Sequence, residues 1–339
     1  MLDRLETTQG AVLARLRAAA AKEDAGAAIG PSVEMALDAG LVDQDDAALL
    51  ACALVAVAES NLPLARLLEG HVNARLLLRI HGDGLRPAGL LGVWGADGAE
   101  PVGLEHGRLR GSKRFASGLG VVRQAVVTVG QGEGTRLALV DVSDRRRHRP
   151  GTWDMLGMRA TVSGDVDLTG LEPRWLGGRG AYFREPHFLG GVWRIAALQL
   201  GGALGLLGAA RDALRAAGRL DAEAQVGRLA PLLGRAMAAF GLVERAADVA
   251  HGVEGRADTD RAVMLSLQSR LLTEELAQDA VAAVERSVGL VHFSSRSETG
   301  RIARDLATYC RQATRDAFEQ RAGRTALERP GPLSGLWHG

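Results

Sequence analysis

The chain has 339 residues, of which 47% are apolar and 24% are charged, the composition of an ordinary globular protein with room for two or three domains. Its net charge of +1 gives no general attraction to nucleic acid or to an anionic membrane. Cys52 and Cys310 have neither disulfide nor metal-site spacing, and the first residues lack the apolar core of a signal peptide. We therefore expect a cytoplasmic protein that binds no nucleic acid.

Three zones follow one another along the chain. Residues 1–86 are rich in alanine and leucine with helical periodicity, and Pro31 and Pro63 separate the predicted helices. In residues 87–184, runs such as "AGLLGVW", "AVVTVG", "TRLALVDV" and "SGDVDLTG" predict short β-strands. Helical periodicity returns over 185–328, and a polar tail occupies 329–339. The sequence therefore predicts helices, then a β domain, then a helical bundle.

The most apolar run of the chain is "IAALQLGGALGLLGAA", residues 195–210. It is shorter than a membrane span and contains Gln199, so it predicts a buried bundle helix and no membrane insertion. Its glycines indicate close packing of this helix against a neighbour.

Several function classes lack their motifs. The chain has no GxGxxG or GxxxxGK[ST] phosphate loop and no GxSxG nucleophile elbow. Its eight histidines show no HxxxH or HExxH spacing, so we predict no metal site. Residues 145–150, "RRRHRP", are predicted to form a solvated loop, with the phosphates of an anionic carrier as the alternative ligand.

Two segments of the β zone favour a flat ligand. "LGVWGADGAEPV" (91–102) and "LRGSKRFASG" (109–118) place aromatic side chains and a small hydroxyl beside glycines, in a chain with only 4% aromatic residues. A flat ring needs an apolar wall, polar donors at its edge and close approach of the backbone, and these residue types supply all three.

The architecture and several motifs resemble the acyl-CoA dehydrogenase superfamily. "LRGSKRFASG", "DMLGMRATVSGDVDLTGL" (154–171) and "RIARDL" (301–306) resemble its motifs in the correct order. The resemblance implies a mostly α member of the α+β class, with an N-terminal helical domain, a central β-barrel domain and a C-terminal four-helix bundle. It also implies an oxidoreductase that binds FAD and assembles as a homodimer or homotetramer.

The resemblance also assigns residues to the flavin. Its ring would lie at Trp94, Gly95, Phe115 and Ser117, with the Ser117 hydroxyl near the reactive edge. The family's clamp on the pyrophosphate and adenine is altered here, where Arg219, Arg228 and Gly289 are its remnants. FMN therefore remains an alternative to FAD.

The family's catalytic carboxylate is missing. Alignment places Ala313 at the usual position of the glutamate base and Trp193 at the position that a minority of relatives use. Neither side chain can accept a proton. Asp316 and Glu319 are the nearest replacements in sequence, with Asp316 preferred, and Glu185 is a further option; the catalytic residue stays unassigned.

Three functions remain open from the sequence. The first is α,β-desaturation of an acyl thioester such as an acyl-CoA, with an electron-transfer partner. The second is a flavin-dependent monooxygenase supplied by a flavin reductase, since residues 304–324 partly resemble the C-terminal pattern of that branch and oxygenation needs no α-carbon base. The third is a homologue without catalytic turnover.

Overall fold

Helices make up the described part of the N-terminal region. A computed structural model of the chain describes residues 7–311 and 314–336. The N-terminal region contains α1 (Thr7–Asp24), α2 (Gly30–Asp38), α3 (Ala47–Ser60) and α4 (Leu62–His81). Side-chain oxygens of Asp46 and Asn61 accept the backbone N–H groups of Leu49 and Leu64, which caps α3 and α4. The two prolines that were expected to separate helices lie in the first turns of α2 and α4, where no helical N–H is lost.

The β region follows, and each of the four runs predicted as strands contains one. Its strands are β1 (Leu91–Trp94), β2 (Gly103–Glu105), β3 (Arg108–Arg110), β4 (Ser112–Ala116), β5 (Gln124–Val129), β6 (Arg136–Asp141), β7 (His148–Arg149), β8 (Gly164–Asp167) and β9 (Arg174–Leu176). They pair in the orders β1-β5-β6-β9, β4-β8-β7 and β2-β3. β1 runs parallel to β5, and the other pairs are antiparallel.

The predicted closure of the β region into a central barrel is not confirmed. Among the described residues, the strands form three separate hydrogen-bonded sheets, with no single sheet that closes on itself. A barrel requires continuous pairing around the axis, whereas most of these strands have only two to four residues. The mostly α, α+β class is confirmed.

The described residues of the C-terminal region contain six α-helices: α5 (Trp193–Ala216), α6 (Glu223–His251), α7 (Val253–Ala257), α8 (Thr259–Val288), α9 (Glu298–Tyr309) and α10 (Arg315–Glu328). α5 is the central helix, because it packs against α3, α6, α8 and α9. Residues 333–336 of the predicted tail form a 3₁₀ turn, and the Leu336 carbonyl accepts a hydrogen bond from Arg261.

Two of these helices are long and apolar enough to cross a membrane by length and composition alone. In the segment Leu189–Ala216, 78% of the most apolar window is buried inside the protein, as expected of a core helix. In α6 the share is only 22%, because Val226, Leu233 and Met237 lie exposed along it. α6 therefore presents apolar surface that the rest of the described chain leaves uncovered.

Glycines let α5 approach α3 closely, as the sequence predicted. A Cβ atom on Gly201 would lie 2.3 Å from the Val55 carbonyl oxygen and 2.6 Å from the Ala58 side chain. A Cβ atom on Gly205 would lie 2.6 Å from the Glu59 carbonyl oxygen. No ordinary carbon atom fits at such distances, so the contact between the two helices requires glycine at both positions.

We predict that Gly201→Ala lowers the free energy of unfolding by about 1–3 kcal/mol, because the added methyl group must push α3 and α5 apart. Gly208→Ala is the matched control, since the same helix has nothing within 4 Å of that position. There the better helix propensity of alanine should leave stability unchanged or raise it by up to about 1 kcal/mol. Chemical denaturation of both variants measures this, and equal effects would contradict the packing explanation.

Candidate functional site

The end of β1 and the end of β4 meet at Trp94 and Ser117. The Trp94 side chain is only 3% exposed, and its indole N–H donates to the Ser117 carbonyl oxygen at 3.2 Å. The next carbonyl, that of Gly95, accepts the Thr128 hydroxyl at 2.9 Å and the buried Lys113 ammonium at 3.3 Å. Three of the residues that the resemblance assigned to the flavin ring are thus brought together and held rigidly.

Hydroxyl groups support Ser117 from behind. The Ser163 hydroxyl donates to the Ser117 hydroxyl at 3.0 Å and lies 2.7 Å from the Thr161 hydroxyl. The backbone N–H of Gly118 donates to the Thr161 carbonyl at 2.8 Å. Gly118 has a φ of +84°, a conformation that favours glycine, so the turn after Ser117 depends on it.

Phe115 lies apart from this group. Its ring is on the surface, edge-on to Trp153 at 6.0 Å and under the Arg114 guanidinium at 4.1 Å. Its φ of +55° falls where the pairing of β4 with β8 shifts register, which marks a β-bulge. The bulge explains why Phe115 and Ser117, two residues apart, do not share one hydrogen-bonded strand face.

Helix α9 fixes the loop that supports Ser117. The Asp305 carboxylate accepts the Met158 backbone N–H at 2.5 Å, at a position where Met158 has a φ of +57°. A Cβ atom on Gly157 would lie 2.1 Å from the Arg304 carbonyl, so loop and helix touch backbone to backbone. The "RD" pair of the C-terminal motif therefore connects the bundle to the β region.

A cavity of about 220 Å³ lies beside the Trp94–Ser117 junction. α4, the segment before α5, the first turn of α5 and the end of α9 enclose it, and Tyr182, His187, Phe188 and Tyr309 line it. A smaller cavity of about 10 Å³ touches Trp94 and Ser117 directly. Arg66, Gly70 and Val93 line both, so the two cavities adjoin.

One face of α4 makes the cavity polar. Arg66, Glu69, Gly70 and Asn73 line it at the three- and four-residue spacing of a helix face. The Arg66 guanidinium lies 2.6 Å from the Glu69 carboxylate, which also accepts the Asn73 side-chain amide. Burial and the nearby Glu69 charge raise the pKa of Tyr182 and Tyr309, so both phenols stay protonated at neutral pH. Glu69 is thus a buried carboxylate in the cavity, held by two donors.

The opposite face of α4 lines a larger cavity of about 530 Å³. Arg75, Arg79 and Arg86 surround it together with His71, whose Nδ1 accepts the Leu91 backbone N–H at 3.1 Å. Burial lowers the pKa of His71 to about 4, so this side chain is neutral at pH 7. Neither Trp94 nor Ser117 lines this cavity.

Arg228 and Gly289 lie together at the far end of the bundle. The Arg228 guanidinium donates to the Ser287 hydroxyl at 3.2 Å, and Arg219 donates to the Ser287 carbonyl at 3.4 Å. Gly289 follows directly as the C-cap of α8. Arg219 lies just beyond the last residue of α5, whereas the cavity lies at its first turn, about 36 Å away along a helix of 24 residues.

The carboxylates proposed from the sequence lie outside the cavity lining. Asp316 and Glu319 are exposed on α10, and Glu319 pairs with Arg315 at 2.9 Å. Glu185 accepts the Leu189 and Gly190 N–H groups at 2.9 and 3.1 Å and so orders the segment before α5. Trp193 is fully buried against His251, and Ala313 lies outside the described residues.

The α4 residues were missed because their charges resemble those of any helix. The available signal was the spacing of polar residues in "LPLARLLEGHVNARLLLRIH", where Arg66, Glu69 and Asn73 share one face of an otherwise apolar helix. Such a face indicates a buried polar site or a solvated stripe, and only tertiary packing separates the two. Within the described residues, no group of three or more His, Cys, Asp or Glu side chains could hold a metal ion.

Known proteins match this chain in structure and not in sequence. No protein-family model and no curated protein sequence matches it. FMN-bound TdsC from Paenibacillus sp. A11-2 is similar with a TM-score of 0.80 and 17% identity over 97% of this chain and 98% of its own. The HsaA monooxygenase from M. tuberculosis is similar with a TM-score of 0.75 and 17% identity over 96% of this chain and 97% of its own.

A dehydrogenase has the same architecture. Butyryl-CoA dehydrogenase from Megasphaera elsdenii is similar with a TM-score of 0.78 and 16% identity over 96% of this chain and 99% of its own. The coverage is nearly complete in both directions for all three proteins. The chain therefore has the acyl-CoA dehydrogenase-like fold that flavin monooxygenases share.

We predict that the burial of Asp305, the residue that accepts the Met158 N–H, makes the stability of the protein depend on pH. Burial raises the pKa of the Asp305 carboxyl to about 6, above its value near 4 in an unfolded chain. The folded state holds this proton more tightly, so the contribution to stability is complete below about pH 4 and is lost as the pH rises to about 6. The loss amounts to about 3 kcal/mol.

Asp305→Asn cannot ionise and keeps an oxygen for the Met158 N–H. Between pH 4 and pH 7 the free energy of unfolding of the wild type should therefore fall relative to that of Asp305→Asn. Urea denaturation of both proteins at each pH measures this difference. Asp316→Asn, at an exposed carboxylate, is the control and should follow the wild-type curve. Parallel curves for Asp305→Asn and the wild type would refute the assignment.

Proposed function

We propose that the protein is a flavin-dependent oxidoreductase that acts on a small substrate. The observation that supports this most is the cavity between α4 and α5, which adjoins the Trp94–Ser117 junction and is lined by charged as well as apolar side chains. This junction is the place that the family resemblance assigns to the flavin ring, in a chain with the acyl-CoA dehydrogenase-like fold.

The residues at this place suit a flavin. Val93 and Trp94 offer an apolar wall, and Ser117 offers a hydroxyl beside it. The Arg66 guanidinium lines both cavities, so it can donate to the polar edge of a ring that lies across their junction. When bound, a flavin supplies hydride acceptance or, once reduced, reaction with molecular oxygen.

A single chain can hold FMN more readily than FAD, because FMN lacks the adenine half of the dinucleotide. The cavity and the Arg228–Gly289 group lie at opposite ends of α5, so one chain cannot hold both ends of the same dinucleotide. We propose that FMN binds to one chain, as it binds to TdsC. FAD remains the alternative, with its adenine half held by Arg228 and Gly289 of a second copy.

A second copy would also cover exposed apolar surface. Val226, Leu233 and Met237 are 52%, 47% and 76% exposed on α6, and Leu290, Val291 and Phe293 are exposed just after α8. Surfaces of this kind mark protein interfaces, and this one adjoins Arg228 and Gly289. We infer a homodimer or homotetramer through it; sedimentation of the purified chain should give an oligomer, and a monomer would contradict the inference.

Two reactions fit the cavity. For desaturation of a short acyl thioester, the carboxylate facing the substrate would be Glu69, but its two oxygens already bind Arg66 and Asn73 and are less accessible to a substrate proton. For oxygenation of a small molecule, no α-carbon base is needed. The small volume and charged lining of the cavity fit either a short acyl group or a small polar ring better than a fatty acyl chain.

A flavin titration tests the proposal. FMN and FAD are added separately to the purified protein, and binding is followed by the loss of free-flavin fluorescence. We expect binding of FMN, and weakening by about tenfold or more in Gly95→Leu, since a side chain there would press on Tyr182, whose hydroxyl oxygen lies 3.4 Å from the Cβ position. Gly103→Leu, where the space is open, is the control and should bind normally.

The reaction is then assigned from the loaded protein. Anaerobic bleaching of the flavin by butyryl-CoA would support desaturation. An oxygenated product from indole, formed only with a flavin reductase and oxygen, would support the monooxygenase; indole is the molecule bound by TdsC. A chain that binds neither flavin at high concentration would overturn the proposed function and leave the homologue without turnover.

We propose a cytoplasmic setting for the protein. Cys52 and Cys310 are buried and do not form a disulfide with each other, which suits a reducing compartment such as the cytoplasm. An electron-transfer flavoprotein would serve the desaturation, and a flavin reductase would serve the oxygenation.

A further inference from the structure

Arg194 stands out among the buried basic side chains. Among the lysines and arginines, the structure describes five that are buried: Lys113, Arg194, Arg261, Arg270 and Arg301. Four of them lie within ion-pair distance of a carboxylate, on Asp97, Glu254, Glu274 and Asp305 respectively. Arg194 has no such partner in residues 7–311 and 314–336. A buried charge without a partner is costly, so this arginine needs an explanation that the packing of the fold does not supply.

The neighbours of Arg194 do not neutralise it. Its Nη1 lies 3.4 Å from His251 Nε2, and its buried Nε makes no hydrogen bond in the described chain. Burial and the Arg194 charge lower the pKa of His251 to about 3 and also lower that of His187, so both imidazoles are neutral at pH 7. Glu69 faces the same cavity, but Arg66 and Asn73 already occupy its oxygens.

Arg194 also remains charged itself. Burial lowers its pKa to about 10, which is still well above neutral pH. With Arg66 and Glu69 cancelling each other, the cavity has a net charge of +1 that belongs to Arg194. This is the charge balance of a site for a monoanion.

The fold places the guanidinium at the cavity. Arg194 lies in the first turn of α5, where the helix adds its own positive partial charge. Its Nη2 lies 2.2 Å from the point where a Cβ atom on Gly191 would stand, so glycine at 191 makes room for it. Both residues line the cavity of about 220 Å³, beside the rings of Tyr182 and Phe188.

We propose that the substrate of this cavity is a small molecule with a carboxylate, which binds the Arg194 guanidinium while its apolar part packs against Tyr182 and Phe188. The proposal names the substrate class of the site described under the proposed function and rests on that function. A guanidinium suits a carboxylate because it offers parallel N–H donors, which an ammonium does not.

The test compares benzoate with its neutral isostere benzamide by calorimetric titration of the FMN-loaded protein at pH 7. We expect the wild type to bind benzoate about tenfold more tightly than benzamide, the effect of one charge-assisted contact. In Arg194→Gln, the affinity for benzoate should fall to that for benzamide. Arg194→Lys should keep part of the preference, because it keeps the charge and loses the planar fork.

Arg211→Gln is the matched control, since Arg211 is exposed on the same helix and pairs with Asp212. It should keep the full preference for benzoate. Equal affinities in the wild type, no detectable benzoate binding at millimolar concentration, or a preference that survives in Arg194→Gln would each overturn the proposal. If Arg194→Gln does not fold, the wild type and Arg194→Lys decide.

Two further titrations separate this proposal from the proposed function. If Arg194→Gln weakens FMN binding by the same factor as benzoate binding, Arg194 serves the flavin and the proposal is wrong. Benzoate is also titrated into protein without flavin. A benzoate preference that depends on Arg194 in a chain unable to bind flavin would support the anion site and refute only the oxidoreductase, whereas FMN binding without the preference refutes only the anion site.

Discussion

The site depends on the close contact between α5 and the two helices α3 and α4. Gly201 and Gly205 bring the α5 backbone against α3, and Gly202 meets the Leu62 side chain at the start of α4. Only because α5 lies this close does its first turn reach the polar face of α4, where Arg66, Glu69 and Asn73 stand. The same packing buries Arg194 without a carboxylate, so one steric constraint sets both the shape and the charge of the cavity.

The β region completes the site through a chain of short contacts. Asp305 of α9 holds Met158, the loop after Met158 supports Gly118, and Ser117 receives the Trp94 indole N–H on its carbonyl. Each contact spans only a few ångströms, and together they connect the bundle to the end of β1. The position of Ser117 relative to the cavity therefore depends on the bundle as much as on the strand that contains it.

Much of the fold could be predicted from the sequence because its signals are local. Apolar runs predict strands such as β5 and β6, and the glycines of α5 predict a close contact with another helix. The pairing of the strands into sheets could not be predicted, because several of these strands of two to six residues pair with partners that lie far away in the sequence. Trp94 and Ser117 could be placed together only through family motifs. The sequence did not show that Arg228 lies far from them, because that distance depends on the length of α5.

The cavity residues were hidden for a different reason. A buried Arg66–Glu69 pair and an exposed i, i+3 pair have the same sequence pattern, and burial is decided by what packs above them. The carboxylate predicted from its proximity to Ala313 in the sequence, Asp316, therefore lies on an exposed helix face. The carboxylate that faces the cavity is Glu69, on a helix some 240 residues earlier in the chain.

A crystal structure of the FMN-loaded protein would show directly where the flavin ring binds. We predict that the ring lies across the two adjoining cavities, with Val93 and Trp94 on one side, Ser117 at an edge, and the polar face of α4 opposite. FMN in the larger cavity lined by Arg75, Arg79 and Arg86, or at the Arg228–Gly289 end of the bundle, would contradict it.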